Sequence, residues 1–197
     1  PRRLEGNTAL IRFDGSSTPE DAAPFVQGLM GEQADAAALV FDLRENTGGA
    51  TDLIPIIASY LFVDKPVHLY DRSNRHKGTS TASWTTPVAP GQRFGSRKPV
   101  YVLTSKDSFS AAENFAYTLQ QLGRATIVGE RTRGGNHGAF GKPVTAHLVA
   151  HVATISTINA ASKRDFDGGV LPDLAVPAAE ALSAALASAK AALARTP

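Results

Sequence analysis

Apolar and polar positions follow two rhythms along the chain. Short apolar runs occur at TALIRFD (8–14), AALVFDLR (37–44), PVHLYDR (66–72), KPVYVLTS (98–105) and RATIVGE (124–130). Between them, SSTPEDAAPFVQGLM (16–30), TDLIPIIASYLF (51–62) and SAAENFAYTLQQLG (110–123) carry apolar residues at helical spacing. Strand patterns alternating with helix patterns predict an α/β fold. The near-continuous apolar run at 37–44 predicts a parallel strand covered on both faces.

Punctuation supports these boundaries. Thr18 is placed to cap the helix over 16–30, with Pro19 at its first position and acidic residues in its first turn. Pro55 falls near the first turn of its helix, where a missing N–H matters least. Gly123 ends the helix over 110–123. The β-branched run VTAHLVAHVATISTI (144–158) predicts a strand, and the alanine-rich 177–194 a helix. Residues 71–98 are polar and hold the only tryptophan, Trp84; a long loop or lid is expected there. No internal repeat is visible.

At 197 residues the chain suffices for one domain with a sizeable core. We therefore treat 1–197 as a single domain. It opens almost directly into a strand, PRRLEGNTALIRF, so an upstream region of the parent protein is expected. No apolar run approaches the ~20 residues of a membrane helix, and no signal-peptide pattern is present. Zero cysteines exclude disulfides, thiolate catalysis and cysteine metal sites, but leave the compartment open. The net charge of +2 gathers in DRSNRHK (71–77) and RFGSRK (93–98), without the basic stripe or reader motif of a nucleic-acid binder.

Two stretches carry candidate chemistry. FSAAENF (109–115) has the S-x-x-E spacing of a capping box, in which Ser110 and Glu113 satisfy each other's backbone N–H groups. It also suits a nucleophilic serine held on a tight strand-to-helix turn. NTGGA (46–50) likewise follows a buried strand and precedes a helix, and its glycines permit close backbone approach. In a parallel sheet both strand ends lie on the carboxyl edge, where α/β folds place their sites. Together they offer a hydroxyl nucleophile, Ser110, beside an oxyanion hole from the N–H groups of Ala111 and of Gly48 or Gly49. A base is still required.

Other patterns lose on spacing. His147 and His151, four apart on a strand, are separated by ~13 Å and share no zinc-type cluster, so no metal is assigned. The glycine run ending in Lys142 has Asn136 and Pro143 where a phosphate loop needs Gly and Ser or Thr. No cofactor is implied.

LVFDLRENTGG, KPVYVLTSKDSFSAAENFAYTLQQLGRATIVGERTRGGNHG and DFDGGVLPDL (165–174), in that order, resemble the tail-specific or C-terminal processing serine proteases, closest to the branch that includes the interphotoreceptor retinoid-binding protein and the tricorn core protease. The resemblance spans about residues 8 to 175. It implies a single-domain ClpP/crotonase-like core of repeated β-β-α units and a serine-type endopeptidase acting on peptide or protein. The nucleophile falls on Ser110 and the oxyanion donors on Gly48, Gly49 and Ala111. It also implies an extracytoplasmic, bacterial protein.

The departures are as informative. The main branch takes its base from a lysine in T-F-G-K-G; here TRGGN puts Gly135 in that place. The tricorn branch uses a histidine on the first strand, where this chain has Arg12. His137 is the best remaining base, since it follows the right strand and histidine is the usual side chain for proton transfer near neutral pH. The competing account of His137 is that it only packs the glycine loop. Lys142 is a second candidate, and Asp167 resembles the acidic position that supports the tricorn triad. No PDZ-like module is expected within these 197 residues ahead of the core. Two alternatives stay open: a catalytically inactive binding module for an apolar ligand of retinoid or fatty-acid type, motivated by loss of both bases, and, further off, a crotonase-type acyl-CoA enzyme. Nothing in the chain specifies an oligomeric state.

Overall fold

The computed structural model describes residues 1–15, 19–62, 65–86 and 90–195. Thr18 and the acidic side chains following Pro19 lie outside the described residues.

A six-stranded sheet forms the centre. Its strands are β1 (Arg2–Leu4), β2 (Thr8–Arg12), β3 (Ala38–Asp42), β6 (Val100–Thr104), β7 (Thr126–Gly129) and β10 (Leu174–Ala175), in that spatial order. All pairs are parallel except the β1–β2 hairpin. Every residue of β3 and β6 is buried, as the apolar runs predict. Successive side chains leave a strand on opposite faces, and two cores result. Leu39, Phe41 and Val102 pack with helices α1 (Pro19–Glu32), α2 (Leu53–Ser59) and α3 (Ala111–Gln121). Ala38, Val40, Tyr101 and Leu103 meet Ala181, Ala185 and Ala189 of α4 (Ala181–Ala194) on the other. Alanines four apart let α4 lie close against the sheet.

A second, antiparallel sheet stands beside the first, in the order β5 (Thr79–Trp84), β4 (His68–Asn74), β9 (Leu148–Asn159), β8 (Gly138–Thr145). It revises two expectations. Residues 71–98 are not one long loop: β4 runs to Asn74, and 79–84 pair with it along their length. Trp84 lies in β5, its ring stacked on His68 at 4.4 Å. From residue 90 onward the segment is tied to the body rather than free. Phe94 is buried, and the Arg124 guanidinium donates to the carbonyls of Leu61, Gly95 and Lys98. The glycine-rich 138–142 also forms strand, as the start of β8, antiparallel to β9.

Candidate active site

β3 and β6 are adjacent parallel strands, so the loops leaving them emerge side by side on the carboxyl edge. Short polar side chains bind these loops together. Ser105 Oγ donates to the Arg44 carbonyl at 2.5 Å and Ser108 Oγ to that of Leu43 at 2.8 Å. The Phe109 N–H donates to the Asn46 carbonyl at 3.0 Å. Asn46 is buried, and its Nδ2 donates to the Phe13 carbonyl at the end of β2. One asparagine thus joins three loops.

Ser110 follows at the mouth of α3 with φ 56° and ψ −112°. An N-cap serine ordinarily has extended backbone; this one occupies a conformation that L-residues rarely adopt and that costs about 1–3 kcal/mol. Glu113 helps to hold it, accepting the Ser110 N–H at 2.8 Å through Oε2. That is the reciprocal arm of a capping box. The other oxygen, Oε1, accepts from Thr132 Oγ1 at 2.5 Å and from the Gly134 N–H at 2.6 Å. Thr132 Oγ1 in turn accepts the Val170 N–H. The fully buried Glu113 therefore connects the S-A-A-E, T-R-G-G and D-F-D-G-G-V stretches.

The glycines of NTGG take different parts. Gly48 donates its N–H to Asn46 Oδ1 at 2.8 Å, which removes Gly48 from the expected oxyanion donors. What Gly48 supplies is closeness. Its φ is 105°, and a Cβ there would stand 2.8 Å from Ser110 Cβ and 3.2 Å from the Ala111 nitrogen. Gly49 lines the cleft with Ser110 and Ala111. The Ala111 N–H belongs to the first turn of α3, where helix donors have no intrahelical acceptor.

This cleft encloses about 150 Å³, and its walls include Arg72, Asn114, Asn136 and Phe166. A narrower apolar pocket, formed by Phe13, Leu43, Leu53, Ile54 and Phe115, adjoins Ala111.

The candidate bases stand apart from it. Gly135, Asn136 and Gly138 line the cleft; His137 does not. Neighbouring residues of an extended chain face opposite ways, and the His137 ring is 42% exposed, with Nε2 3.6 Å from Asp167 Oδ1. Among the described residues no hydrogen bond joins the Ser110 hydroxyl to His137. Lys142 lies exposed within β8. His147 falls in the turn between β8 and β9, and His151 sits in β9 opposite Gly141. No group of three His, Cys, Asp or Glu able to hold a metal occurs among the described residues. Gly135 faces the Phe109 ring, which a Cβ there would overlap. The Arg133 guanidinium covers that ring at 5.1 Å.

Asp42 ends β3. Its carboxylate accepts from Arg44 Nε at 2.8 Å and Nη2 at 2.7 Å, and Arg44 Nη1 reaches the Ala178 carbonyl ahead of α4. Burial pushes the Asp42 carboxyl up, but hydrogen bonds from Arg44 outweigh it and hold the group below its ordinary value.

Sequence reasoning missed Asn46, Ser105, Ser108, Thr132, Asn114 and Asn136. The signal for the first three was present, since short polar residues cluster beside both candidate loops.

The sequence profile of peptidase family S41 matches residues 7–176. The chain belongs to this family. Solved structures with the same fold include the photosystem II D1 C-terminal processing protease, at 22% identity and TM-score 0.65, covering 87% of this chain and 42% of the protease. A lipoprotein from Streptococcus agalactiae gives 14% and 0.72, covering 97% of this chain and 69% of that one. Mature CPAF gives 15% and 0.62, covering 95% and 50%. The S41 chain described here thus spans less than half the length of the first of these proteins.

Proposed function

We propose that this S41 chain is the core of a serine endopeptidase in which Ser110 forms an acyl-enzyme with a peptide or protein substrate. The observation that carries the reading is the strained turn of Ser110 pressed against Gly48, with Ala111 and Gly49 beside it. Ser110 Oγ attacks the scissile carbonyl, and the N–H groups of Ala111 and Gly49 receive the developing oxyanion. The serine proton passes to His137 and on to the leaving amine; water then releases the acyl group. In the structure the His137 ring is turned toward Asp167, outside the cleft, so this role requires it to rotate inward. Catalytic hydrogen bonds often form only once substrate is bound. The apolar pocket beside Ala111 accepts a small apolar side chain. Extracytoplasmic residence is part of the proposal; among the described residues no helix is long and apolar enough to cross a membrane.

A second reading, a binding module for an apolar ligand, draws on the outward-facing His137. Incubation with β-casein separates the two. Cleavage by the wild type that Ser110→Ala abolishes supports the peptidase. No cleavage, together with a fatty-acid-like molecule extracted from the purified protein, supports the module.

A further inference from the structure

Asn114 and Asn136 are each about 97% buried, and both line the cleft that contains Ser110. Asn114 Oδ1 accepts the Thr118 hydroxyl at 3.1 Å, which directs Nδ2 away from that bond, and this Nδ2 has no partner. Asn136 has none for either Nδ2 or Oδ1. Buried side-chain amides are nearly always satisfied, and each exception calls for an explanation. Here three such atoms, two donors and one acceptor, gather at a single cleft wall.

We infer that Asn136 and Asn114 form a subsite that reads the main chain of an extended peptide next to Ser110. A side-chain amide with donor and acceptor both open matches one peptide residue, which presents an N–H and a C=O side by side. Asn136 accepts the N–H through Oδ1 and donates to the C=O through Nδ2. Asn114 Nδ2 donates to a second carbonyl. Main-chain recognition of this kind is tolerant of sequence, because every residue except proline offers the same pair. The loop carrying Asn136 has glycines at 134, 135 and 138, so a small backbone adjustment brings its amide to the cleft surface. The inference rests on the peptidase reading for its substrate class, but it concerns binding and can be tested without turnover.

The probe is the oxidised B chain of insulin, an extended peptide, titrated into Ser110→Ala protein with Asn136 intact or changed to Leu. A further readout is the Tm of the free protein. The subsite predicts that Asn136→Leu weakens B-chain binding about tenfold through loss of two hydrogen bonds. It also predicts an unchanged or raised Tm, since an unpaired buried amide is removed. Asn136→Ala carries the same binding comparison should the leucine not be accommodated. Equal B-chain affinity with and without Asn136, or no B-chain binding to Ser110→Ala, overturns the subsite. So does a Tm drop in both variants with binding retained, which marks Asn136 as structural. Wild type that neither labels with a fluorophosphonate nor cleaves, yet binds the B chain through Asn136, removes the peptidase reading and leaves the subsite standing.

Discussion

Gly48 lies so near Ser110 that a Cβ at position 48 would stand 2.8 Å from the serine's own Cβ. Its φ of 105° is also one that L side chains rarely adopt. Gly48→Ala must therefore push the NTGG loop away from Ser110 and Ala111. We expect Ser110 acylation to slow by about 10²–10³, the scale of losing one oxyanion donor. Stability should fall by about 1–3 kcal/mol from backbone strain. Labelling kinetics and urea unfolding of the variant check both.

A lysine placed at position 135, where the family resemblance expects one, should not form a serine–lysine pair. The Phe109 ring occupies the space into which that side chain would grow. Gly135→Lys alone is expected to lower stability without raising Ser110 reactivity above wild type. Only the double variant with Phe109→Ala opens the path. A gain in labelling by the single variant contradicts this account of the loop.

Glu113→Ala leaves three donors without acceptors: the buried Thr132 hydroxyl and the half-buried N–H groups of Ser110 and Gly134. At about 1–3 kcal/mol for each, a loss of roughly 3 kcal/mol or more is expected in urea unfolding. The Ser110 turn should relax, and labelling should fall with it.

The Asp42–Arg44 pair predicts an acid response. The folded carboxyl titrates below its ordinary value, so its stabilising contribution is complete above the unfolded pKa of ~3.9 and is lost as pH falls through the folded one. Asp42→Asn removes that contribution. The stability gap between wild type and Asp42→Asn should be widest at neutral pH and close as pH drops below ~4, measured by urea midpoints at several pH values.

Much of the fold was legible because β3 and β6 are covered on both faces, and only near-continuous apolar runs such as ALVFD and VYVLT meet that demand. β5 was hidden: TSTASW is mostly exposed and takes its order from pairing with β4. The start of β8 was hidden by Gly138, Gly141 and Pro143, residues that read as loop yet are tolerated on an edge strand. At the site, the S-A-A-E and NTGG stretches could be read because they abut buried strands. That Asn46 takes the Gly48 N–H and that Phe109 fills the space before Gly135 could not be read. These depend on contacts set by how the loops close over one another, and sequence spacing carries no record of them.

The central claim is that Ser110 is an activated nucleophile served by His137. Its most direct test is intact mass spectrometry after fluorophosphonate treatment of wild type, Ser110→Ala and His137→Ala. The account predicts a single adduct on wild type, mapped to Ser110 and absent from both variants. A wild type that stays unlabelled, or an adduct that survives Ser110→Ala, contradicts it.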